Sequence, residues 1–504
     1  MSLGIVARYC GPQIGLDIPM GRILSATIAA LCCLAASAAH ASAQSDYDTG
    51  YALGSQAYEY GIPLLDTDRI FRTNTSVSKS DGKADAPVNR FSHARKLADA
   101  AARDVVAPNH DTLYSIAWLD LSRRPQILHV PRMHRFFVFE LVSPWTENFR
   151  NISTATGNQD GGDFAIVGPG FRGKLPAGVR KVRAPYDRVW MIGRTYIKGA
   201  ADTDRVNKLQ NAYRLLPLSR YQTRYKPPVI KPVDTTVDHP AIPGFGAGED
   251  PLAFYSALGR LMKRFPPPAA DQPLLDQLRA IGVGPGLDPA TDPSLSAETL
   301  RGMRDAVIGG PAAIQAELTR RYVAEFGKHN GYLLADIGHY GIDYTLRALT
   351  DRVGVGALKP KVAIYAFTQT ANDLSPLTGG GRYVLHLPAD QLPVPARAFW
   401  SLTLYDANVF LFDNPFNRYL INDRTKLHYN GDGSLDLYVQ ADQPTDPAQA
   451  QNWIPAPSGA FRLIWRLYDT GQARFGILDG SGWQPPAVQR CAGGVGSGGT
   501  PCAS

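Results

Sequence analysis

Five polar residues crowd the nine-residue stretch Ala107-Pro-Asn-His-Asp-Thr-Leu-Tyr-Ser115: Asn109, His110, Asp111, Thr112 and Tyr114. A histidine and a carboxylate this close can serve as acid, base or metal ligand. The phenol of Tyr114 can donate a proton if its pKa is lowered. The same residue types also build Asx-type turns, whose side chains bond their own backbone. A second polar and aromatic group follows at Trp145, Glu147, Asn148 and Asn151. A third lies near the other end, at Trp400, Tyr405, Asn414, Asn417, Arg418, Tyr419, Asn452, Trp453 and Arg466. Aromatic faces stack on the C–H faces of sugars, while amide and guanidinium groups bond their hydroxyls; core packing and loop bracing use the same residues. His329, His339 and His386 have no spacing that points to a metal. Gly-x-Ser-x-Gly, His-Glu-x-x-His and Cys-x-x-Cys are all absent, which removes most support for an α/β serine hydrolase or a zincin. Gly168–Lys174 fits the first part of a P-loop, but Leu175 stands where a Ser or Thr would hold Mg²⁺.

These groups need a scaffold. Strand patterns rich in aromatic and β-branched residues occur at Ser115–Leu119, Arg135–Val142, Asp163–Val167 and Arg188–Ile197. They recur at Lys361–Thr368, Arg382–Leu387, Arg397–Leu404, Lys426–Tyr429, Leu435–Gln440 and Phe461–Leu467. Asn430-Gly-Asp-Gly433 reads as a hairpin turn before Leu435. Helical spacing appears over 46–64, where Gly61-Ile-Pro63 predicts a stop. It returns between about 245 and 355, with Ile314, Leu318, Tyr322 and Phe326 on one face. There Ser296 is the expected N-cap, and Gly309-Gly310-Pro311 is the expected end of its helix.

The chain has 504 residues, 44% of them hydrophobic and 19% charged, which is globular composition and allows a large core. Its 48 glycines and 39 prolines fit a turn-rich β protein. No Gly-X-Y period exists, so collagen is excluded. No long apolar run follows residue 43, so a polytopic membrane protein is excluded. Arg22, the apolar run Ile23–Ala39 and the Ala-x-Ala patterns ending at Ala43 make a secretory signal, with Met20 a candidate true start. The net charge of +7 is spread as scattered pairs, which argues against a nucleic-acid partner. Cys491 and Cys502 bracket a flexible tail and are expected to form a disulfide after export.

The stretch Pro108-Asn-His-Asp-Thr-Leu-Tyr-Ser-x3-Leu-Asp-Leu-Ser122 resembles the bacterial domain of unknown function 1254, as do Tyr60-Gly-Ile-Pro63, Thr156-Gly157 and Phe164–Pro169. Ala398-Phe-Trp-Ser-Leu-Thr-Leu-Tyr-Asp406 resembles its usual partner, the domain of unknown function 1214. So do Asn414-Pro415, Asn417-Arg-Tyr419, Asp432-Gly433, Asn452–Pro457 and Arg466-Leu-Tyr468. The resemblance covers most of 50–488 and implies two β-sandwich-like parts joined by helices, in exported bacterial proteins. The family pattern carries a small or apolar residue where His110 stands, which moves the catalytic expectation to Asp111, Asn109 and Tyr114.

The expected fold is multidomain α+β, with two sandwich or jelly-roll-like domains joined by a small helical module. The expected segments are a signal at 1–43, a β-rich domain at 44–235, helices at 236–355, a β-sandwich at 356–490 and a tail at 491–504. The expected function is a periplasmic or secreted hydrolase or lyase acting on a polyhydroxylated substrate such as a saccharide. Asp111 would be base or metal ligand, and Tyr114 and Asn109 would assist. Trp145, Asn151, Trp400, Tyr405, Arg418, Trp453 and Arg466 would hold the substrate. A divalent metal such as Ca²⁺ or Zn²⁺ is compatible with this chemistry. The rival reading is a non-catalytic envelope protein that binds a ligand or a partner.

Overall fold

A computed structural model describes residues 20–103, 106–229 and 241–491. Nine strands build the N-terminal part: β1 (Ser92–His93), β2 (Thr112–Asp120), β3 (Gln126–Val130), β4 (Phe137–Val142), β5 (Asn148–Ser153), β6 (Gly162–Val167), β7 (Arg180–Arg183), β8 (Arg188–Tyr196) and β9 (Arg214–Pro217). They form two sheets, ordered β1-β2-β8-β4-β5 and β7-β6-β3-β9. Eight more build the C-terminal part: β10 (Ala363–Thr368), β11 (Tyr383–Leu387), β12 (Phe399–Asp406), β13 (Leu420–Asn422), β14 (Leu435–Gln440), β15 (Trp453–Pro455), β16 (Phe461–Tyr468) and β17 (Val488–Arg490). Their sheets run β10-β16-β12-β13 and β15-β14-β11-β17. The helices are α1 (Met20–Thr75), α2 (Thr203–Ala212), α3 (Ala253–Arg264), α4 (Gln272–Leu278), α5 (Ala297–Glu325), α6 (Tyr344–Gly354), α7 (Pro447–Gln451) and α8 (Arg474–Asp479). The protein is therefore mixed α+β. Among the described residues no helix is long and apolar enough to cross a membrane.

Side chains alternate across a strand, and this period of two sorts each sheet into faces. In the first sheet Ala117, Leu119, Phe137, Phe139, Leu141, Val189 and Met191 share a core with Leu128, Val130, Phe164 and Ile166 of the second. In the C-terminal part Ile364, Ala366, Leu402, Leu404, Leu463, Trp465 and Leu467 share a core with Leu385, Leu437 and Val439. Many of the intervening residues are also buried, some of them where the two parts meet. Phe136, Val138 and Tyr196 pack with Val362, Ala363, Phe399 and Tyr468. The Phe399 ring lies 4.1 Å from Tyr468 and 4.5 Å from Tyr196. Each fully buried ring contributes roughly 1.5–3 kcal/mol to this junction.

The helices form a layer of their own, with a core joining Tyr60, Leu64 and Leu65 of α1 to Leu258, Leu278, Met303 and Val307. Two expected helix stops are overturned here. Pro63 lies inside α1 and Pro311 inside α5. An interior proline costs about 3 kcal/mol. Burial on both sides offsets it: Tyr60, Leu64 and Leu65 are at most 1% exposed, and the Pro63 carbonyl accepts from Thr67 Oγ1 at 2.5 Å. Around Pro311, Gly310 packs on the Tyr58 ring, where a Cβ would come within 2.3 Å. Ser296 caps α5 as expected, accepting from the Thr299 N–H. The expected strand Lys426–Tyr429 is absent. The Asn452 side chain takes up the backbone of His428 at both N–H and C=O, in place of a strand partner.

Candidate interdomain polar site

The faces that meet between the two parts carry polar side chains among the apolar ones. From the N-terminal sheet come Tyr114 of β2, Glu140 of β4, and Arg194 and Tyr196 of β8. From the C-terminal sheet come Tyr365 of β10, Ser401, Thr403 and Tyr405 of β12, and Arg466 and Tyr468 of β16. The loop Ala107–Asp111 lies between them, and five C-terminal side chains, Tyr405, Asn422, Arg424, Arg466 and Tyr468, bond to it. Arg466 donates to the Ala107 carbonyl at 3.0 Å, and Tyr405 donates to that of Pro108 at 2.9 Å. Asn109 Nδ2 donates to the Tyr468 hydroxyl at 2.6 Å. Arg424 donates to Asp111 Oδ1 at 2.5 Å. Ala107 sits at φ 50°, a left-handed conformation that costs a non-glycine residue roughly 1–2 kcal/mol. The Arg466 and Tyr405 bonds hold the chain there.

Asp111 is fully buried, and its two oxygens differ. Oδ1 accepts from Arg424 and from Asn422 Nδ2 at 3.2 Å; Oδ2 has no partner. The hydroxyls of Thr112 and Ser401 are likewise buried and unpartnered. A buried acceptor left unpaired costs about 1–3 kcal/mol, so these atoms call for a water or a ligand. An ion pair on one oxygen orients a carboxylate while the other stays available to accept a hydrogen bond.

A second ion pair lies beside it. Arg194 donates to Glu140 Oε2 at 2.7 Å, to the Gly356 carbonyl at 2.8 Å and to the Tyr114 hydroxyl at 3.4 Å. Burial pushes the Glu140 carboxyl upward, with Arg194 and Asn148 opposing. Burial also pushes Tyr365 up to about 12, against Arg194, and raises Tyr405 and Tyr468, against Arg466. These three phenols stay protonated at neutral pH and act as hydrogen-bond donors or acceptors. Burial works to lower the Arg466 guanidinium; only at pH values high enough to ionise Tyr405, Tyr468, Tyr365 and Tyr114 do these rings raise it.

Comparison with known proteins places these contacts. Residues 88–217 match the family described as Protein of unknown function (DUF1254), and residues 362–472 match Protein of unknown function (DUF1214). The two matches lie in that order along the chain. No curated protein matches the sequence. Among solved structures, the VPA0106 protein from Vibrio parahaemolyticus is 21% identical with a TM-score of 0.60, over 88% of this chain and 100% of that one. That likeness is one of fold. A putative uncharacterized protein from Burkholderia cenocepacia is 13% identical with a TM-score of 0.39, over 89% of this chain and 95% of that one. The polar seam thus joins the DUF1254 stretch to the DUF1214 stretch, each contributing about half of its side chains.

The structure brings Asn109, Asp111, Tyr114, Tyr405 and Arg466 together at the seam and places the other anticipated residues elsewhere. Trp145 is sealed in the helical core, 4.9 Å from the Tyr60 ring, with its indole N–H on the Phe265 carbonyl. Trp400 packs inside the C-terminal core, 5.3 Å from Trp465. Trp453 is buried and donates to the Gln440 carbonyl at 2.9 Å. Arg418 braces the carbonyls of Ala450 and Gln451. Asn151 lies on β5, where its Oδ1 accepts from Asn148. His110 turns toward the Ala98 carbonyl and the Tyr419 ring. His329, His339 and His386 pair separately with Gln484, Glu147 and Asp436. Among the described residues no three His, Cys, Asp or Glu side chains gather as a metal site. Cys491 is disulfide-bonded, while Cys502 and residues 1–19 lie outside the described residues.

Sequence reasoning missed Glu140, Arg194, Tyr365, Asn422, Arg424 and Tyr468. Tyr468 continues the alternation Arg466-Leu-Tyr468, whereas Glu140 stands between Val138 and Val142, and Tyr365 between Ala363 and Phe367, on their strand faces. Arg424 lies in a turn and offers no such pattern.

Proposed function

We propose that the seam between the DUF1254 and DUF1214 stretches is a site for a small polyhydroxylated molecule, and that the protein acts on it as a hydrolase or lyase. Asp111 is the proton acceptor of this reading. Tyr114 and Asn109 help to set the geometry around it. One observation carries the proposal: a fully buried carboxylate has one oxygen fixed by Arg424 and Asn422 and the other unpartnered. The buried, unpartnered hydroxyls of Thr112 and Ser401 add polar contacts suited to a hydroxylated ligand. We read each pair of sheets with a shared core as a sandwich, with the helices joining the two. Export to the periplasm or beyond belongs to the same reading and rests on the N-terminal sequence pattern.

The rival reading is a non-catalytic binding or envelope protein. It draws on the engagement of Asn109, Tyr405 and Arg466 in holding the 107–111 loop. A screen of the purified protein against polysaccharides, oligosaccharides and esters separates the two, with Asp111→Asn as control. The enzyme reading expects turnover in the wild type and a loss of about a hundredfold or more in the variant. Equal turnover in both proteins removes Asp111 from the mechanism. Ligand-induced stabilisation without turnover supports the rival.

A further inference from the structure

A separate cleft of about 290 Å³ opens beside β5, where the N-terminal part meets the segment leading into β10. Arg150, Lys359 and Lys361 line it, together with Asn151 and Thr156, and no carboxylate does. Among the described residues none of the three cations has a side-chain hydrogen bond or an ion pair. Only Lys359 feels a nearby carboxyl, that of Glu140, which Arg194 already holds, so the like charges around the cleft favour a further counter-charge.

A buried relay orients a neutral donor into the same cleft. Asn148 Nδ2 donates to Glu140 Oε1 at 2.8 Å, while Arg194 holds the other oxygen of that carboxyl. The other hydrogen of that amide goes to Asn151 Oδ1 at 3.2 Å. This fixes the orientation of Asn151: its oxygen faces inward and its NH₂ is left without a partner. Asn151 is only 9% exposed, and the cleft is where it reaches the surface. Thr156 supplies shape rather than a donor, because its hydroxyl hydrogen is taken by the carbonyls of Asn151 and Ser153.

We infer that this cleft is a binding site for a small oxyanion, a carboxylate, phosphate or sulfate group, held by Arg150, Lys359 and Lys361 and hydrogen-bonded by Asn151 Nδ2. The site is distinct from Asp111 and stands whether or not the seam is catalytic. A guanidinium, two ammonium groups and an oriented amide are the donors that oxyanions take in charge-assisted bonds. The bland view is a solvated basic rim, which would attract anions without saturating.

Calorimetric titration of the full chain with sodium phosphate, sodium sulfate and sodium glucuronate, at ionic strength matched with sodium chloride, tests the inference. The three arms tell a phosphate, a sulfate and a sugar carboxylate apart. The expected result is saturable binding of at least one anion, weakened about tenfold or more in Lys361→Glu and in Asn151→Ala. Lys361→Arg should restore it. Asp111→Asn and a distant control, Lys426→Glu, should bind as the wild type does. Lys361 and Lys426 are exposed, so these variants are expected to fold, and melting curves check this. Absence of saturable binding by all three anions overturns the inference, and so does unchanged affinity in both weakened variants. Neither result bears on turnover at the seam.

Discussion

Two interfaces hold distant parts of this chain together, and they are built in opposite ways. Helices α1 and α5 meet through small and apolar residues, with Asp305 and Arg301 of α5 on Tyr47 of α1 at the partly exposed edge. A Cβ on Gly302 would fall 2.3 Å from the Tyr47 carbonyl oxygen, and one on Gly50 would fall 2.2 Å from that of Thr299. Nothing but backbone fits between them. The seam between the DUF1254 and DUF1214 stretches instead buries two arginine–carboxylate pairs and several phenols. Burying ion pairs is a poor way to gain stability, because desolvation consumes most of the Coulombic attraction. The helical layer buries charges too, but away from that contact: Asp271 accepts from Tyr60 and Tyr344, and Arg347 pairs with Glu147. The polar seam leaves one oxygen of the fully buried Asp111 unpartnered, and the proposed function rests on that atom.

The largest expected effect comes from unbalancing the seam. Glu140→Ala leaves Arg194 buried without its carboxylate, and unfolding free energy should fall by about 3–5 kcal/mol in chemical denaturation. A loss below about 1 kcal/mol would mean that solvent reaches the pair and that the seam is not a low-dielectric site.

In the helical layer Gly302→Ala tests the contrast from the other side. The added methyl meets backbone, which cannot yield as a flexible side chain does, so a loss of about 1–3 kcal/mol is expected in the same measurement. Wild-type stability in that variant would show that the helices slide apart freely, and that they are not the rigid joint.

Acid should expose a third, smaller difference. Burial, aided by Arg95, lowers the His93 pKa from its usual 6.5 to about 4, beside Ser115 Oγ at 2.8 Å. Between these values the unfolded chain takes up a proton that the folded site refuses. Stability should therefore fall as pH drops from about 6.5 to 4 and lose no more through this group below that. With the partial exposure of the ring discounted, the contribution is on the order of 1–2 kcal/mol. Melting temperatures across that range should slope less in His93→Gln. An identical slope would remove His93 as the cause.

Much of the scaffold was legible because it follows local rules. Leu435–Gln440 is a strand within the expected bounds, and β4, β6, β8, β10, β12 and β16 lie within a residue or two of their patterns. The helix ends at Pro63 and Pro311 were misread because tertiary burial outweighs a local penalty that sequence reading weighs alone. The site was legible in half. The row Asn109 to Tyr114 announces itself by composition, but its partners Asn422 and Arg424 stand 311 and 313 residues from Asp111, and no spacing connects them. Trp145 and Trp453 resembled sugar platforms because a tryptophan beside amides reads alike on a surface or in a core. Only the fold shows their indole N–H groups bonded to buried carbonyls.

The most direct test replaces the Asp111–Arg424 pair with apolar residues of similar size, Asp111→Leu with Arg424→Met, and measures unfolding free energy and substrate turnover in one protein. If the pair exists for function, stability should stay within about 1 kcal/mol of the wild type or rise, while turnover disappears. A fall of several kcal/mol with turnover intact would mean that the seam is polar in order to hold the domains together, and would contradict a functional role for the buried pair.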